Sequence, residues 1–180
     1  MVFIHMATGF EEVEALTCVD VLRRAGADAI MVSVTGNKTV TGAHGLNIEA
    51  DILFEEADYN FCEMIVLPGG MPGATNLRDH EGLTAKIKDF ASAGKPLAAI
   101  CAAPLALAAH GALEGKKATI YPGMEEYLTG ATPTGESVTV DGNVVTGMGP
   151  ALAMEFSLAL VEFLRGKTVK EEVARGLLVD

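Results

Sequence analysis

Short apolar runs alternate with amphipathic helical patterns along this 180-residue chain. The runs Val2–Met6, Met64–Leu67 and Leu97–Ile100 have the length of buried strands, and each ends at small or turn-forming residues. Helical patterns over residues 11–24 and 104–110 follow the first and third of these runs. Such alternation is typical of a parallel sheet whose crossover helices cover both faces. We therefore expect an α/β fold built on a mostly parallel sheet.

The rest of the chain fits the same architecture. The patterns predict a strand over 29–34, an extended stretch over 39–48, a helix over 83–93, a hairpin joining 138–140 to 144–146, and helices over 151–165 and 169–177. The turn formers Pro72 and Gly73 predict a loop before the helix at 83. No internal repeat, linker or change in composition divides the chain, so we expect one domain over residues 1–180.

Composition excludes several classes of partner. The chain has 24 acidic and 13 basic residues, a formal net charge of -11, and no cluster of Lys or Arg. Binding to nucleic acid or to an anionic membrane surface requires such clusters. No stretch approaches the roughly 20 apolar residues of a membrane span, and the N-terminus lacks the basic region of a signal peptide. We therefore expect a cytoplasmic protein that binds neither nucleic acid nor membranes.

The three cysteines raise the question of a nucleophile. In the cytoplasm Cys18, Cys62 and Cys101 are expected to be reduced, and without a CxxC pair or a nearby His they predict no metal site. Cys101 follows a strand and precedes Pro104, which is the setting of a nucleophile elbow. The following helix would lower the pKa of its thiol. The alternative, a small buried hydrophobe, suits Cys18 and Cys62 better.

The first helix supplies a partner for such a thiol. In a projection at 100° per residue, Glu14 falls among the apolar residues, whereas Glu12 falls on the polar side. A carboxyl on the buried face has a raised pKa and can exchange protons near neutrality. Glu11 shares the apolar side but can still reach water from the first turn. Glu12 is explained as a helix-start residue that interacts favourably with the helix dipole.

Two glycines after the middle strand suggest an oxyanion hole. Gly69 and Gly70 can turn backbone N–H groups toward the same cleft as the amide of Ala102. A tight turn is the alternative explanation. The chain lacks GxGxxG and GxxxxGK[ST], so we expect no phosphate-bearing cofactor. His44, in the extended stretch, can reach an active site or a dimer partner, or it is an ordinary exposed residue.

Five segments of the chain, taken together, resemble the ThiJ/PfpI superfamily and in particular its DJ-one branch. They are residues 9–14 (GFEEVE), 19–26 (VDVLRRAG), 67–70 (LPGG), 98–104 (AAICAAP) and 155–156 (EF). The resemblance implies a flavodoxin-like three-layer sandwich, as in class I glutamine amidotransferases, and a homodimer. It also implies that Cys101 is the reactive cysteine, that Glu14 hydrogen-bonds it, and that Gly69, Gly70 and Ala102 form an oxyanion hole.

The resemblance further implies several activities. Relatives are described as glyoxalases that convert methylglyoxal to lactate without a cofactor, as deglycases, as oxidative-stress sensors through a cysteine sulfinate, and as chaperones. Older descriptions connect similar sequences with thiazole monophosphate biosynthesis. We therefore predict a cysteine-dependent stress-response protein acting on small carbonyl compounds. The alternatives are a redox sensor or chaperone that works through oxidation of Cys101, and a family fold without catalytic activity.

The chain departs from relatives at three positions. Peptidases of the superfamily carry a catalytic His directly after the cysteine, where this chain has Ala102, so peptide hydrolysis is not expected. Close relatives have a His where this chain has Tyr121 and commonly an Arg at the position of His44. Tyr121 can donate a hydrogen bond but is a poor base at neutral pH, which weakens the glyoxalase prediction.

Overall fold

The structure is a computed structural model that describes residues 1–179. The strands are β1 (Val2–Met6), β2 (Ala29–Ser33), β3 (Thr39–Thr41), β4 (Asn47–Glu49), β5 (Ile52–Leu53), β6 (Met64–Leu67), β7 (Leu97–Ile100), β8 (Lys117–Ala118), β9 (Thr132–Pro133), β10 (Val138–Asp141) and β11 (Val144–Gly147). The helices are α1 (Glu12–Arg24), α2 (Gly73–Asp79), α3 (Glu81–Ser92), α4 (Pro104–Ala109), α5 (Ala153–Arg165) and α6 (Lys167–Gly176).

A seven-stranded sheet forms the centre of the molecule, in the order β10-β11-β7-β6-β1-β2-β5. Every neighbouring pair is parallel except β10 and β11, which form the predicted hairpin. All residues of β1, β6 and β7 are buried. Their continuous apolar sequences reflect this, because a parallel strand in the middle of a sheet is covered on both faces.

Helices cover both faces of this sheet. α1, α5 and α6 pack together on one face, and α2, α3 and α4 pack together on the other. The predicted flavodoxin-like three-layer sandwich is therefore confirmed. Among residues 1–179 no helix combines the length and the apolar character that a membrane crossing requires.

Helix α1 begins and ends as its sequence indicates. The side chain of Glu11 accepts a hydrogen bond from the backbone N–H of Glu14, which caps the first turn. Arg23 and Arg24 lie in the last turn, where positive charge interacts favourably with the helix dipole. Gly26 has a φ of 72°, which lets the chain turn back toward β2.

The structure differs from the prediction between β6 and β7. Residues 73–79, which we predicted as a loop, form helix α2. Pro72 occupies the N-cap position, before the first backbone N–H groups that the helix must bond internally. A proline at the start of a helix breaks no internal hydrogen bond, so the same residue that signals a turn also fits a helix start.

Candidate functional site

The loops that follow β1, β6 and β7 meet at one edge of the sheet, as expected for the carboxyl ends of parallel strands. The N–H of Glu11 donates to the carbonyl oxygen of Gly69 at 2.9 Å. The N–H of Gly73 donates to the carbonyl oxygen of Gly9 at 3.2 Å. These bonds bring the start of α1 against the turn after β6.

Cys101 lies at this edge in a strained turn between β7 and α4. Its φ of 62° is in the left-handed region, which is disfavoured for residues other than glycine and costs about 1–3 kcal/mol. The turn is held by the N–H of Cys101, which donates to Gly147 at 2.9 Å, and by the N–H of Tyr121, which donates to the Cys101 carbonyl oxygen at 2.9 Å. The side chain is mostly buried, and 7% of the residue is exposed. This is the backbone shape of a nucleophile elbow.

Glu14 is fully buried beside Cys101, so the burial predicted from the helical projection is confirmed. Its Oε2 accepts a hydrogen bond from the N–H of Gly69 at 2.7 Å. Burial raises the pKa of Glu14 to about 7, although the Gly69 N–H and the Cys101 thiol both favour the charged form and Glu11 opposes it. Near neutrality this carboxyl can therefore give or take a proton.

The expected lowering of the Cys101 pKa is wrong. Burial raises the pKa of the thiol to about 12, and the neighbouring charge and hydrogen bond of Glu14 act in the same direction. The N–H groups of Gly70 and Ala102 oppose this shift. Helix α4 starts only at Pro104 and has six residues, so its dipole does not offset the desolvation. The thiol is thus protonated at rest, next to a carboxyl that can accept its proton.

The three predicted oxyanion-hole residues differ in what their amides contact. The N–H groups of Gly70 and Ala102 interact with the Cys101 sulfur and remain directed into the site. The N–H of Gly69 is bonded to Glu14 instead. A glycine at 69 nevertheless lets the backbone there pack closely against Cys101 and Glu14. An added Cβ would lie 2.6 Å from the Cβ of Cys101 and 2.7 Å from Glu14 Oε2.

Beside this site, His44 contacts Glu12, which the helical projection places on the polar side of α1. Its Nδ1 lies 2.8 Å from Oε2 of Glu12, and its backbone N–H donates to Glu12 Oε1 at 2.8 Å. Glu12 is only 4% exposed because the loop that carries His44 covers it. The helical projection placed Glu12 on the polar side, and no signal within α1 reveals a loop that folds over it. Glu11 is also buried rather than solvated.

Tyr121 lies next to the site through its backbone. Its N–H bond to Cys101 fixes the main chain, and its ring is close to Gly149, whose added Cβ would lie 3.5 Å from the ring. The side chain is about half exposed. The backbone of Tyr121 is therefore adjacent to Cys101, and its ring lies beside Gly149 and is partly open to solvent.

Comparison with known proteins agrees with this geometry. The model of the DJ-1/PfpI family matches residues 1–163. The chain belongs to the DJ-1/PfpI family. Among relatives, the DJ-1 homolog A of Arabidopsis thaliana is 43% identical over 99% of this chain, which spans 46% of that protein's length. A deglycase of Pyrococcus abyssi is 31% identical over 91% of this chain and 99% of its own length.

Solved structures of DJ-1/PfpI proteins have the same fold. Toxoplasma gondii DJ-1, in an oxidized form, has a TM-score of 0.95 and 38% identity, with 99% of this chain and 97% of that chain covered. The predicted membership of the family is therefore confirmed.

The other two cysteines of this DJ-1/PfpI chain lie in the core. Cys18 is fully buried, accepts a hydrogen bond from the Ser157 hydroxyl, and has a pKa that burial raises to about 12. Cys62 is 2% exposed, and burial raises its pKa to about 11. Backbone amides of Met64 and Phe3 also act to lower the pKa of Cys62, but neither core cysteine has the left-handed backbone of Cys101. Cys101 is therefore the cysteine whose surroundings suit chemistry.

Proposed function

We propose that this chain is a cysteine-dependent stress-response enzyme that converts small dicarbonyl compounds such as methylglyoxal to hydroxy acids without a cofactor. The observation that carries the proposal is the surroundings of Cys101. A strained turn presents the thiol, two backbone amides are directed at it, and the buried carboxyl of Glu14 adjoins it. The name of the deglycase relative supports chemistry on carbonyl compounds in this family.

The first step forms a carbon–sulfur bond. As the sulfur of Cys101 attacks the aldehyde carbon of methylglyoxal, its proton passes to the carboxylate of Glu14. Proton transfer during the attack removes the need for a thiolate at rest, which the raised pKa of Cys101 disfavours. The aldehyde oxygen becomes an oxyanion, and the N–H groups of Gly70 and Ala102 are placed to stabilise it.

The second step moves hydrogen between the two carbons. Protonation of the oxyanion gives a hemithioacetal, and Glu14 then takes the proton from the former aldehyde carbon. Returning this proton to the neighbouring carbon, while the hydroxyl proton of the first carbon passes to the oxygen of the second, gives a lactoyl thioester of Cys101. The aldehyde carbon is oxidised and the ketone carbon reduced within one molecule, so no external oxidant or cofactor takes part. Water then cleaves the thioester, releasing lactate and the free thiol.

Purified protein with methylglyoxal tests this proposal. We expect lactate to accumulate with wild type and not with Cys101→Ser, and Glu14→Gln to reduce the rate at least about 100-fold because it removes the general base. Equal lactate from wild type and Cys101→Ser would contradict the proposal. Free cysteine at the same concentration serves as the control for reaction in solution.

A redox sensor is the second candidate, favoured by the contacts available to an oxidised sulfur. Each peroxide molecule transfers one oxygen to the sulfur and leaves as water, so two give a sulfinate. The N–H groups of Gly70 and Ala102, and Glu14 when protonated, can donate hydrogen bonds to the sulfinate oxygens. The oxidized form of the Toxoplasma relative supports this second candidate.

Mass spectrometry after mild peroxide treatment tests the sensor. Two added oxygens are expected on Cys101 before any on Cys18 or Cys62, because these two are less exposed. Glu14→Ala removes the carboxyl donor, so its Cys101 should proceed more readily to the sulfonate. Uniform oxidation of all three cysteines would contradict a sensor role.

A further inference from the structure

A second group of reactive side chains lies beside the N-terminus of α1 and consists of Glu11, Glu12 and His44. One ligand atom from each lies within 4.8 Å of the other two. His44 Nδ1 is 2.8 Å from Glu12 Oε2 and 3.8 Å from Glu11 Oε1. The two glutamates are 7% and 4% exposed, whereas the side chain of His44 is 71% exposed and closes the group from the solvent side.

Backbone amides hold the other oxygen of each carboxylate. Glu11 Oε2 accepts from the N–H of Glu14 at 2.8 Å, and Glu12 Oε1 accepts from the N–H of His44 at 2.8 Å. These bonds direct Glu11 Oε1 and Glu12 Oε2 toward the imidazole. Among residues 1–179, the Glu11 carboxylate accepts a hydrogen bond only through Oε2. The 3.8 Å distance from Oε1 to His44 Nδ1 is too long for a hydrogen bond. Outer hydrogen bonds of this kind orient the ligands of metal sites.

The group carries an excess of negative charge that a bound cation would neutralise. Two ionised carboxylates carry two negative charges, and a protonated His44 supplies one positive charge. Within the described residues neither glutamate pairs with a Lys or Arg. A divalent cation that replaces the proton on Nδ1 would make the group neutral. One imidazole nitrogen with two carboxylate oxygens suits Zn²⁺ and similar first-row ions, whereas Ca²⁺ and Mg²⁺ prefer oxygen ligands alone.

We propose that Glu11 Oε1, Glu12 Oε2 and His44 Nδ1 form a binding site for Zn²⁺ or a similar first-row divalent cation, with water completing the coordination. Binding releases the proton of Nδ1 to solvent. Because Glu11 also caps the amide of Glu14, a bound ion would lie in the same helical turn that positions the carboxyl beside Cys101. The metal site itself does not depend on the reactivity of Cys101.

Calorimetric titration with Zn²⁺ tests the site, performed on wild type and on Cys101→Ser, which removes a competing thiol. We expect one Zn²⁺ per chain in both proteins. His44→Ala and Glu12→Gln should each weaken the apparent Zn²⁺ affinity at least about tenfold. Loss of a residue that only hydrogen-bonds a metal ligand already costs that much, and loss of the ligand itself should cost no less. The high exposure of His44 means that His44→Ala should fold normally, which circular dichroism checks. Glu12→Gln keeps the shape of the side chain.

The matched control is His110→Gln, which removes a histidine bonded to the carbonyl oxygen of Arg78 away from this group. Its Zn²⁺ affinity should equal that of wild type. Equal affinity in wild type, His44→Ala and Glu12→Gln would overturn the proposal and leave only an ion pair. Binding lost in Cys101→Ser but kept in His44→Ala would place the metal on the thiol and also overturn it. Zinc binding without lactate formation would contradict the proposed enzyme but not this site.

Discussion

The backbone amide of Gly69 donates a 2.7 Å hydrogen bond to Oε2 of Glu14. This bond ties the end of β6 to the first turn of α1 and fixes which carboxyl oxygen is occupied. Among the described residues, the other carboxyl oxygen of Glu14, Oε1, is buried and has no partner at ordinary hydrogen-bond distances and angles. A buried acceptor without a donor is costly, and protonation of the carboxyl or a polar group of a bound molecule would relieve that cost.

Removing the charge of Glu14 should lower the pKa of Cys101. Glu14→Gln retains an acceptor for the Gly69 N–H but cancels the negative charge that adds to the effect of burial on the thiol. The rate of alkylation by iodoacetamide, followed by mass spectrometry against pH, should rise at lower pH than in wild type.

Glu81→Gln is the control for that experiment. Glu81 is also a first-turn glutamate, but it is exposed at the start of α3. The dependence of Cys101 alkylation on pH in Glu81→Gln should therefore match that of wild type. A Glu14→Gln profile that also matches wild type would mean that burial alone sets the pKa of Cys101.

Gly70→Ala should destabilise the fold much more than Gly36→Ala. Both glycines have positive φ, 86° and 77°, so alanine costs about 1–2 kcal/mol at either position. At Gly70 the new Cβ would also lie 2.5 Å from the nitrogen of Glu11 and the carbonyl oxygen of Gly9, whereas nothing lies within 4 Å at Gly36. Overpacking against backbone should add about 1–3 kcal/mol or more. Urea denaturation measures both changes, and equal losses would contradict the close approach.

Acid should weaken the fold through His5. Burial lowers the pKa of His5 to about 3 from the ordinary 6.5, and its Nε2 lies 2.7 Å from the Tyr59 hydroxyl. The unfolded chain binds a proton at this histidine below pH 6.5 and the folded chain does not. The free energy of unfolding is therefore unaffected by the titration of His5 above pH 6.5. It falls as the pH drops from 6.5 to 3, by at most about 1.4 kcal/mol per pH unit.

The His5→Gln variant isolates this contribution from that of other titrating groups. It is destabilised by altered packing at every pH, but it cannot gain the proton. The difference in free energy of unfolding between wild type and variant should therefore shrink as pH falls from 7 to 5, as urea denaturation would show. A constant difference would place the acid sensitivity elsewhere.

Tyr121→His should raise the turnover of methylglyoxal. The backbone of Tyr121 is bonded to that of Cys101, and its side chain is about half exposed. An imidazole there can shuttle protons near neutrality, so we expect lactate formation to increase at least about tenfold. Tyr121→Phe, which offers no proton-transfer group, should not exceed wild type. Equal rates for the two variants would contradict a role for position 121.

The middle of the central sheet was predictable because β1, β6 and β7 are apolar runs, each buried on both faces. Helix α2 was missed because Pro72 and Gly73 signal a turn, and nothing local tells a turn from the start of a helix. The same limit applies to Glu12, which a helical projection places outside. Its burial depends on a loop more than 30 residues away in sequence.

Within the site, sequence reasoning identified the position and burial of Glu14 but not the electrostatics of its neighbour. Strand-end position indicated Cys101, and helical periodicity indicated that Glu14 is buried. The raised pKa of the thiol arises from burial and from the charge of Glu14, which act through space once both residues are folded together. The helix dipole arises only from the chain that follows Cys101, so on its own it predicts the opposite direction.

The absence of a side chain at Gly69 couples the evolution of positions 14, 69 and 101. A methyl group at 69 would overlap both the Cβ of Cys101 and an oxygen of Glu14. Whether alanine is tolerated at 69 therefore depends on which residues occupy 14 and 101. The effects of changes at these positions should not add, and a substitution rejected in one background can become acceptable after another has occurred. The order of mutations, and not only their identity, decides which sequences this site can reach.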